Sequence, residues 1–252
     1  MSSNDMKRLT APRSWPVAKK TTAWIAKPHP GAHAKENSMP IAVVLRELLQ
    51  VADTAREVKR ILDDRGVLVD GRAVTDFNFA VGLMDVVSIP KIEQHYRMVI
   101  DRNGKLRLMK LPEGKQNWKL CRIENKTTVA GGKTQLNLHD GRNVLVSKDT
   151  YKVGDVLKFD VTPEDAKATK GKTKKAQEKR ILETYKLAKG NTALITGGSN
   201  VGDLAVIEEY LVKRTTGPNL VKFKDGRSTV KGNVFVVGGK APEVELPEAS
   251  AL

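Results

Sequence analysis

Residues 193–207, ALITGGSNVGDLAVI, set Gly197, Gly198 and Gly202 between two apolar runs. Glycines so placed could turn a backbone around a nucleotide phosphate. That chemistry needs a strand before the turn, a helix after it and a doubly wound sheet around both. Gly198 and Gly202 fill two glycine positions, but Leu204 stands where the next is required. Asp203–Ile207 is too short for a helix before the strand-like VIEEYLV, and the remainder reads as strands and turns. A nucleotide-dependent enzyme is therefore the weakest reading of this stretch. AGGKT (130–134) ends like a P-loop, yet Thr127 occupies the first glycine position and the alternating TQLNLHD follows instead of a helix. His29, His33, His95 and His139 are scattered, and the single Cys121 cannot build a zinc cluster. Asp63-Asp64 and Glu208-Glu209 read as solvated faces. No nucleophile–base pair emerges, so no catalytic residue, metal or cofactor is expected.

Charge points elsewhere. The 252 residues carry 44 Lys and Arg against 29 Asp and Glu, a net +15. A surplus of that size implies a polyanionic partner, most often nucleic acid. It is concentrated in residues 1–39 and 106–190, while 40–105 and 191–252 balance. No run approaches the roughly 18–20 apolar residues of a membrane-spanning helix. The N-terminal residues lack an apolar leader core, and with no clear amphipathic anchor either, no membrane partner is expected. One cysteine fits a reducing, cytoplasmic setting.

The elements that must carry this charge differ along the chain. Residues 1–39 lack period, hold Pro12, Pro16, Pro28 and Pro30, and read as an extended basic arm with Lys7, Arg8, Arg13, Lys19 and Lys20. Trp15 and Trp24 interleave with these bases; stacking on nucleobases and docking on the protein's own core are both open to them. Ile41, Val44, Leu45, Leu48 and Leu49 mark one face of a helix begun by Pro40. A second helix opens on the capping box Thr54-Ala55-Arg56-Glu57 and buries Ala55, Val58, Ile61 and Leu62. Its other face gathers Arg56, Lys59 and Arg60, and Gly66 is the expected stop. A hairpin follows, turning at Asp70-Gly71, and then a strand within LMDVVSI (83–89).

From residue 95 onward, turns at Asn103-Gly104, Asp140-Gly141 and Asp225-Gly226 separate short alternating runs, the pattern of small sheets or barrels. Asp-Gly-Arg occurs three times and sets Arg72, Arg142 and Arg227 just beyond tight turns. There they meet either anions or only water. Residues 162–180 contain no apolar residue larger than alanine, so they form a basic excursion, solvated or ordered on nucleic acid. Lys172, Lys174 and Lys175 are its densest bases. The expected fold is α+β and mostly β.

KRLTAPRSW (7–15), VLVDGRAVTDFNFAVGLMDVVSI (67–89) and ALITGGSNVGDLAVI (193–207) together resemble the archaeal and eukaryotic small-subunit ribosomal protein family S4e. The resemblance implies an αL-type RNA-binding module followed by small β domains, with the glycine segment in the KOW motif of an SH3-like barrel. It implies the division 1–39 (arm), 40–94 (αL module), 95–161 (central β domain), 162–180 (basic loop) and 181–252 (barrel and tail). It also implies a structural constituent of the small subunit, bound to rRNA and neighbouring ribosomal proteins. A non-ribosomal RNA-binding accessory protein with the same modules is the alternative. Together with Arg65 and Arg72 near the second helix, the expected RNA contacts include Ser199 and Asn200 at the glycine turn. This chain has Ala205 where the family often has a further glycine, so the turn is expected to be set differently there.

Overall fold

A computed structural model describes residues 4–147, 149–162 and 180–246. The described residues form two compact units: one from within 1–99, 105–119 and 161–166, the other from within 100–104, 120–160 and 167–252. Both are mostly β, with little helix.

In the first unit, β1 (Asp5–Lys7) pairs antiparallel with β2 (Trp24–Ala26), and β3 (Ser38–Pro40) with the later β6 (Ala80–Gly82). The residues expected to form an extended arm thus pair their strands within this unit. After Pro40 the chain makes an α turn, α1 (Ile41–Val43), and then a π-type segment, Val44–Leu48. The Leu49 N–H donates to the Val44 carbonyl, five residues back, over 3.0 Å. This widening breaks the 3.6-residue period. Ile41 through Leu45 are all buried, while the expected core residues Leu48 and Leu49 are only half-buried.

The second helix, α2 (Ala55–Asp63), starts as expected. The Thr54 hydroxyl accepts from the Glu57 amide at 3.3 Å, and the Glu57 carboxylate accepts from the Asp53 and Thr54 amides at 2.9 and 3.2 Å. Val58 and Leu62 are fully buried, whereas Ala55 is exposed. The helix stops one residue earlier than Gly66 predicts. The Arg65 amide donates to the Leu62 carbonyl and the Gly66 amide to the Ile61 carbonyl, a closing motif whose left-handed residue is Arg65 (φ 53°). A non-glycine residue there costs about 1 kcal/mol. Arg65→Gly is therefore expected to raise stability by about that amount in urea denaturation; a lower midpoint would contradict the strain.

The remaining strands of the unit are β4 (Leu68–Val69), β5 (Arg72–Ala73), β7 (Val86–Ile89), β8 (Gln94–Ile100) and β9 (Leu106–Lys110), in the order β5-β4-β7-β8-β9. The Asp70-Gly71 turn has positive φ at both residues, 50° and 74°, as a two-residue hairpin requires. Pro90 opens a single 3-10 turn inside the β7–β8 hairpin, so the sheet continues across residue 94 and up to Lys110.

The second unit holds two five-stranded sheets. One has the order β12-β11-β10-β13-β14, from β10 (Trp118–Val129), β11 (Lys133–Leu138), β12 (Asn143–Val146), β13 (Val156–Asp160) and β14 (Ile181–Tyr185). Trp118 and Lys119, at the start of β10, belong to the first unit. The other sheet has the order β18-β17-β16-β15-β19, from β15 (Thr192–Ile195), β16 (Leu204–Leu211), β17 (Leu220–Phe223), β18 (Ser228–Val230) and β19 (Val234–Gly238). Four consecutive strands form a meander, and β19 returns to pair with β15. Alternation fills the cores with Leu120, Ile123, Leu136, Val156 and Phe159 in one sheet and Leu194, Ile207, Phe223 and Val236 in the other.

Candidate nucleic-acid interface

Burying Val58 and Leu62 turns the opposite side of α2 outward. Arg56, Lys59 and Arg60 are all exposed, with Arg65 and Arg72 exposed as well. Among the described residues no ion pair engages any of these five. Glu57, the acid on the same turn, is directed to the cap, where the Asp53 amide, then the Thr54 amide and hydroxyl, hold its carboxyl below the usual range. Thr54, Arg56, Glu57 and Arg60 line an open depression. Arg56 lies in the first turn, against the positive end of the helix dipole, an arrangement that disfavours the helix by about 0.3–1 kcal/mol. A polyanion lying on this face would supply the missing negative charge. Lys59 Nζ also lies 5.7 Å from the Phe77 ring centre, which steadies it.

The basic residues of residues 4–39 divide. Lys7, Arg13 and Lys20 are exposed, and Lys19 donates to the Ala11 carbonyl at 3.0 Å. Arg8 and Trp15 do not reach the surface. Arg8 is 3% exposed, donates to the Ala18 carbonyl and grips both Glu47 carboxylate oxygens at 3.0 and 3.1 Å. A phosphate could reach it only by breaking a bidentate pair. Trp15 is fully buried, and its indole N–H donates to the Ser38 carbonyl at 2.7 Å. Arg8 is thus corrected from an RNA contact to a residue that docks these segments on the first unit, and of the two roles open to Trp15 the structure shows docking, not stacking. The arm histidines do the same: His29 meets Asp76 at 2.8 Å and His33 meets Asp85 at 2.9 Å. Trp24, the other tryptophan of the arm, is 55% exposed.

In the second unit the glycine segment joins β15 to β16, and no helix follows it. The Thr196 amide donates to the Asn233 carbonyl, the Gly202 amide to Ile195 and the Asp203 amide to Asn200. Gly198 and Gly202 have φ of 95° and 81°. Ser199 is exposed and Asn200 half-exposed at the turn's tip. Ala205 lies inside β16, opposite Ala193, and is not among the residues with positive φ, so it carries no left-handed strain. The three Asp-Gly-Arg arginines differ. Arg72 is open, whereas Arg142 turns back to Asp140 at 3.2 Å and lies 5.7 Å from the Phe159 ring centre. Arg227 binds Asp203 and Asp225, and these hydrogen bonds, Asp203 first, raise its pKa. Its charge is thus largely matched within the unit. Lys172, Lys174 and Lys175 lie outside the described residues.

Spacing along the chain concealed one cluster. The β10–β11 pairing brings Cys121, His139 and Asp140 together, with one potential ligand atom each, all within 4.8 Å. Their polar atoms already serve one another and the backbone. The thiol donates to Asp140 at 3.6 Å, His139 Nδ1 accepts the Arg122 amide at 3.2 Å, and Asp140 accepts the Arg142 amide at 3.1 Å.

Comparison with known proteins converges on one family. The family profile described as Ribosomal family S4e matches residues 92–166, and that of the RS4NT (NUC023) domain matches residues 2–36. The small ribosomal subunit protein eS4 of Methanothermobacter thermautotrophicus is 40% identical over 250 residues, covering 98% of this chain and 97% of that protein. Its counterpart from Methanocella arvoryzae is 39% identical over 248 residues, 97% of this chain and 98% of that protein. The crystal structure of the 30S ribosomal protein S4e from Thermoplasma acidophilum has a TM-score of 0.65 and 35% identity, covering 81% of this chain and 96% of that one. Near-full-length identity at this level, carried on the same strand-rich fold, shows that this chain belongs to the S4e family of ribosomal proteins.

Proposed function

We propose that this chain is a structural constituent of the small ribosomal subunit, holding rRNA by its phosphates and shape. The observation that carries the role of α2 is its unpaired basic face: Arg56, Lys59 and Arg60 within two turns, flanked by Arg65 and Arg72. Structured RNA offers phosphates and 2′-hydroxyls across a shallow groove, and bases fixed on a rigid helix suit that surface. We read the α1–α2 segment with its small sheet as the αL-type module. The β15–β19 sheet, with its glycine turn, is read as the SH3-like KOW barrel. Lys7, Arg13, Lys19 and Lys20 add charge from the first unit; Lys172, Lys174 and Lys175, and Ser199 and Asn200 at the turn, complete the proposed contact set. Neighbouring ribosomal proteins are further partners, and assembly with ribosomes places the chain in the cytoplasm. No described helix is long and apolar enough to cross a membrane. The role is structural and assigns no reaction.

The test is salt dependence. Log K for a small-subunit rRNA transcript should fall linearly with log salt as phosphate contacts release counterions. Arg56→Ala, Lys59→Ala and Arg60→Ala together should weaken binding and lower the slope by about one per lost contact, up to about three. The denaturation midpoint should not fall, because all three side chains are exposed. Unchanged affinity and slope would remove α2 from the interface. Co-sedimentation with small subunits after a high-salt wash separates a resident ribosomal protein from an accessory factor.

A further inference from the structure

We propose that Trp24 and Lys7 form a stacking platform for an unpaired nucleobase, a contact that rests on the RNA-binding role proposed above. The β1–β2 register sets Met6 opposite Ile25 and Lys7 opposite Trp24. Strand alternation then sends Met6 and Ile25 into the core, where both are buried, and Lys7 and Trp24 outward. Lys7 Nζ lies 3.7 Å from the Trp24 ring centre. Trp24 is nevertheless 55% exposed. The other two tryptophans are employed otherwise: Trp15 is fully buried, and Trp118 is partly buried with the Arg97 guanidinium 4.1 Å from its ring centre.

The platform is rigid. Arg8, next to Lys7, is clamped on Glu47, and its amide donates to the Ala23 carbonyl beside Trp24 at 3.0 Å. A flat aromatic surface held this way loses little entropy when a base stacks on it. Proteins that hold single-stranded nucleic acid combine such surfaces with nearby cations that follow the phosphates. Here Lys7 is on the ring, and Lys20 and Lys27 are exposed in the same segment. The net positive charge of residues 1–39 favours RNA over an apolar protein partner for this surface.

Stacking and phosphate contact have different signatures, and the full-length chain with a small-subunit rRNA transcript distinguishes them. Trp24→Ala should lower affinity about 5- to 150-fold, the range for one base stacked on an aromatic side chain. The salt slope should stay at the wild-type value, since no phosphate contact is lost. Trp24→Phe should keep most of the affinity. RNA should quench more indole emission in the wild type than in Trp24→Phe. Thermal unfolding of both variants should match the wild type, because the ring lies outside the core. Unchanged affinity in Trp24→Ala overturns the platform. So does a loss accompanied by a flatter salt slope, which would mean that Trp24 merely positions Lys7 on a phosphate. Failure of the wild type itself to bind RNA overturns the underlying role instead, and is read separately from the variants.

Discussion

Lys119→Met destabilises the first unit by about 3–5 kcal/mol at neutral pH, the usual cost of removing one partner from a buried ion pair. The Lys119 side chain is completely buried, with Nζ 2.6 Å from Asp70 and 2.8 Å from Asp85. Asp70 also receives the Val86 amide, and Asp85 the Gly82 amide and the buried His33 ring. One ammonium thus joins the β4–β5 turn, the entry to β7, the segment before β3 and the first residues of β10. Burial alone would push the Asp85 carboxyl up, but Lys119 and then His33, with the hydrogen bonds from His33 and Gly82, hold it far below the usual range. A carboxylate depressed in the folded state adds stability above its unfolded pKa of about 3.9, and that stability is lost as pH falls through the folded value. Without Lys119 the burial penalty on Asp85 loses its main opponent, and the folded carboxyl is expected to rise above its unfolded value. The variant then recovers stability as acid protonates it. The gap between wild type and Lys119→Met should therefore be widest near pH 7 and narrow towards pH 4. Urea denaturation at both pH values measures it; a gap independent of pH would mean that lost packing, not stranded charge, dominates. Adding Asp85→Asn should recover part of the loss at pH 7, because a neutral amide replaces the stranded carboxylate.

None of this clasp was legible from sequence, and the reason is physical. Lys119 reads as one more base in a basic stretch, while its partners are 34 and 49 residues away. Arg8 reads as a free base, and Trp15 is left undecided between surface and core, for the same reason, since Glu47 and Ser38 are 39 and 23 residues distant. Local chemistry was more readable. The capping box needs only Thr54 and Glu57, the hairpin turn only Asp70 and Gly71, and the outward face of α2 only its helical spacing. Arg65 marks the limit of local reading: glycine's preference for positive φ pointed to Gly66, yet the helix closes one residue earlier with arginine in the strained place. The π-type widening after Val43 likewise depends on a backbone hydrogen bond that no hydrophobic pattern encodes. Trp24 was accessible to alternation alone, once residues 24–26 were taken as a strand rather than as part of an extended arm.

Gly202→Ala is expected to cost the second unit about 3 kcal/mol or more, whereas Gly198→Ala in the same turn costs only about 1–2 kcal/mol. Both glycines have positive φ, so both substitutions meet left-handed strain. Their surroundings differ. A Cβ on Gly198 meets Asn233 Nδ2 at 3.8 Å and Thr229 Oγ1 at 4.0 Å, ordinary contact distances. A Cβ on Gly202 would lie 2.2 Å from the Asp101 carbonyl oxygen, 2.4 Å from its carbon and 2.5 Å from the Arg102 amide. All three are backbone atoms and cannot rotate away, so the turn or residues 101–102 must shift. The same approach brings Arg102 to 3.3 Å from Asp203, which also binds Arg227. Parallel urea denaturations of the two variants supply the comparison, and equal losses would mean that backbone strain alone explains both glycines. The motif that first suggested a cofactor phosphate is then a packing device. Gly202 brings two stretches of backbone into contact, the strand after it leaves no helix N-terminus to hold a nucleotide, and Ser199 and Asn200 are held outward on a turn whose position depends on that contact.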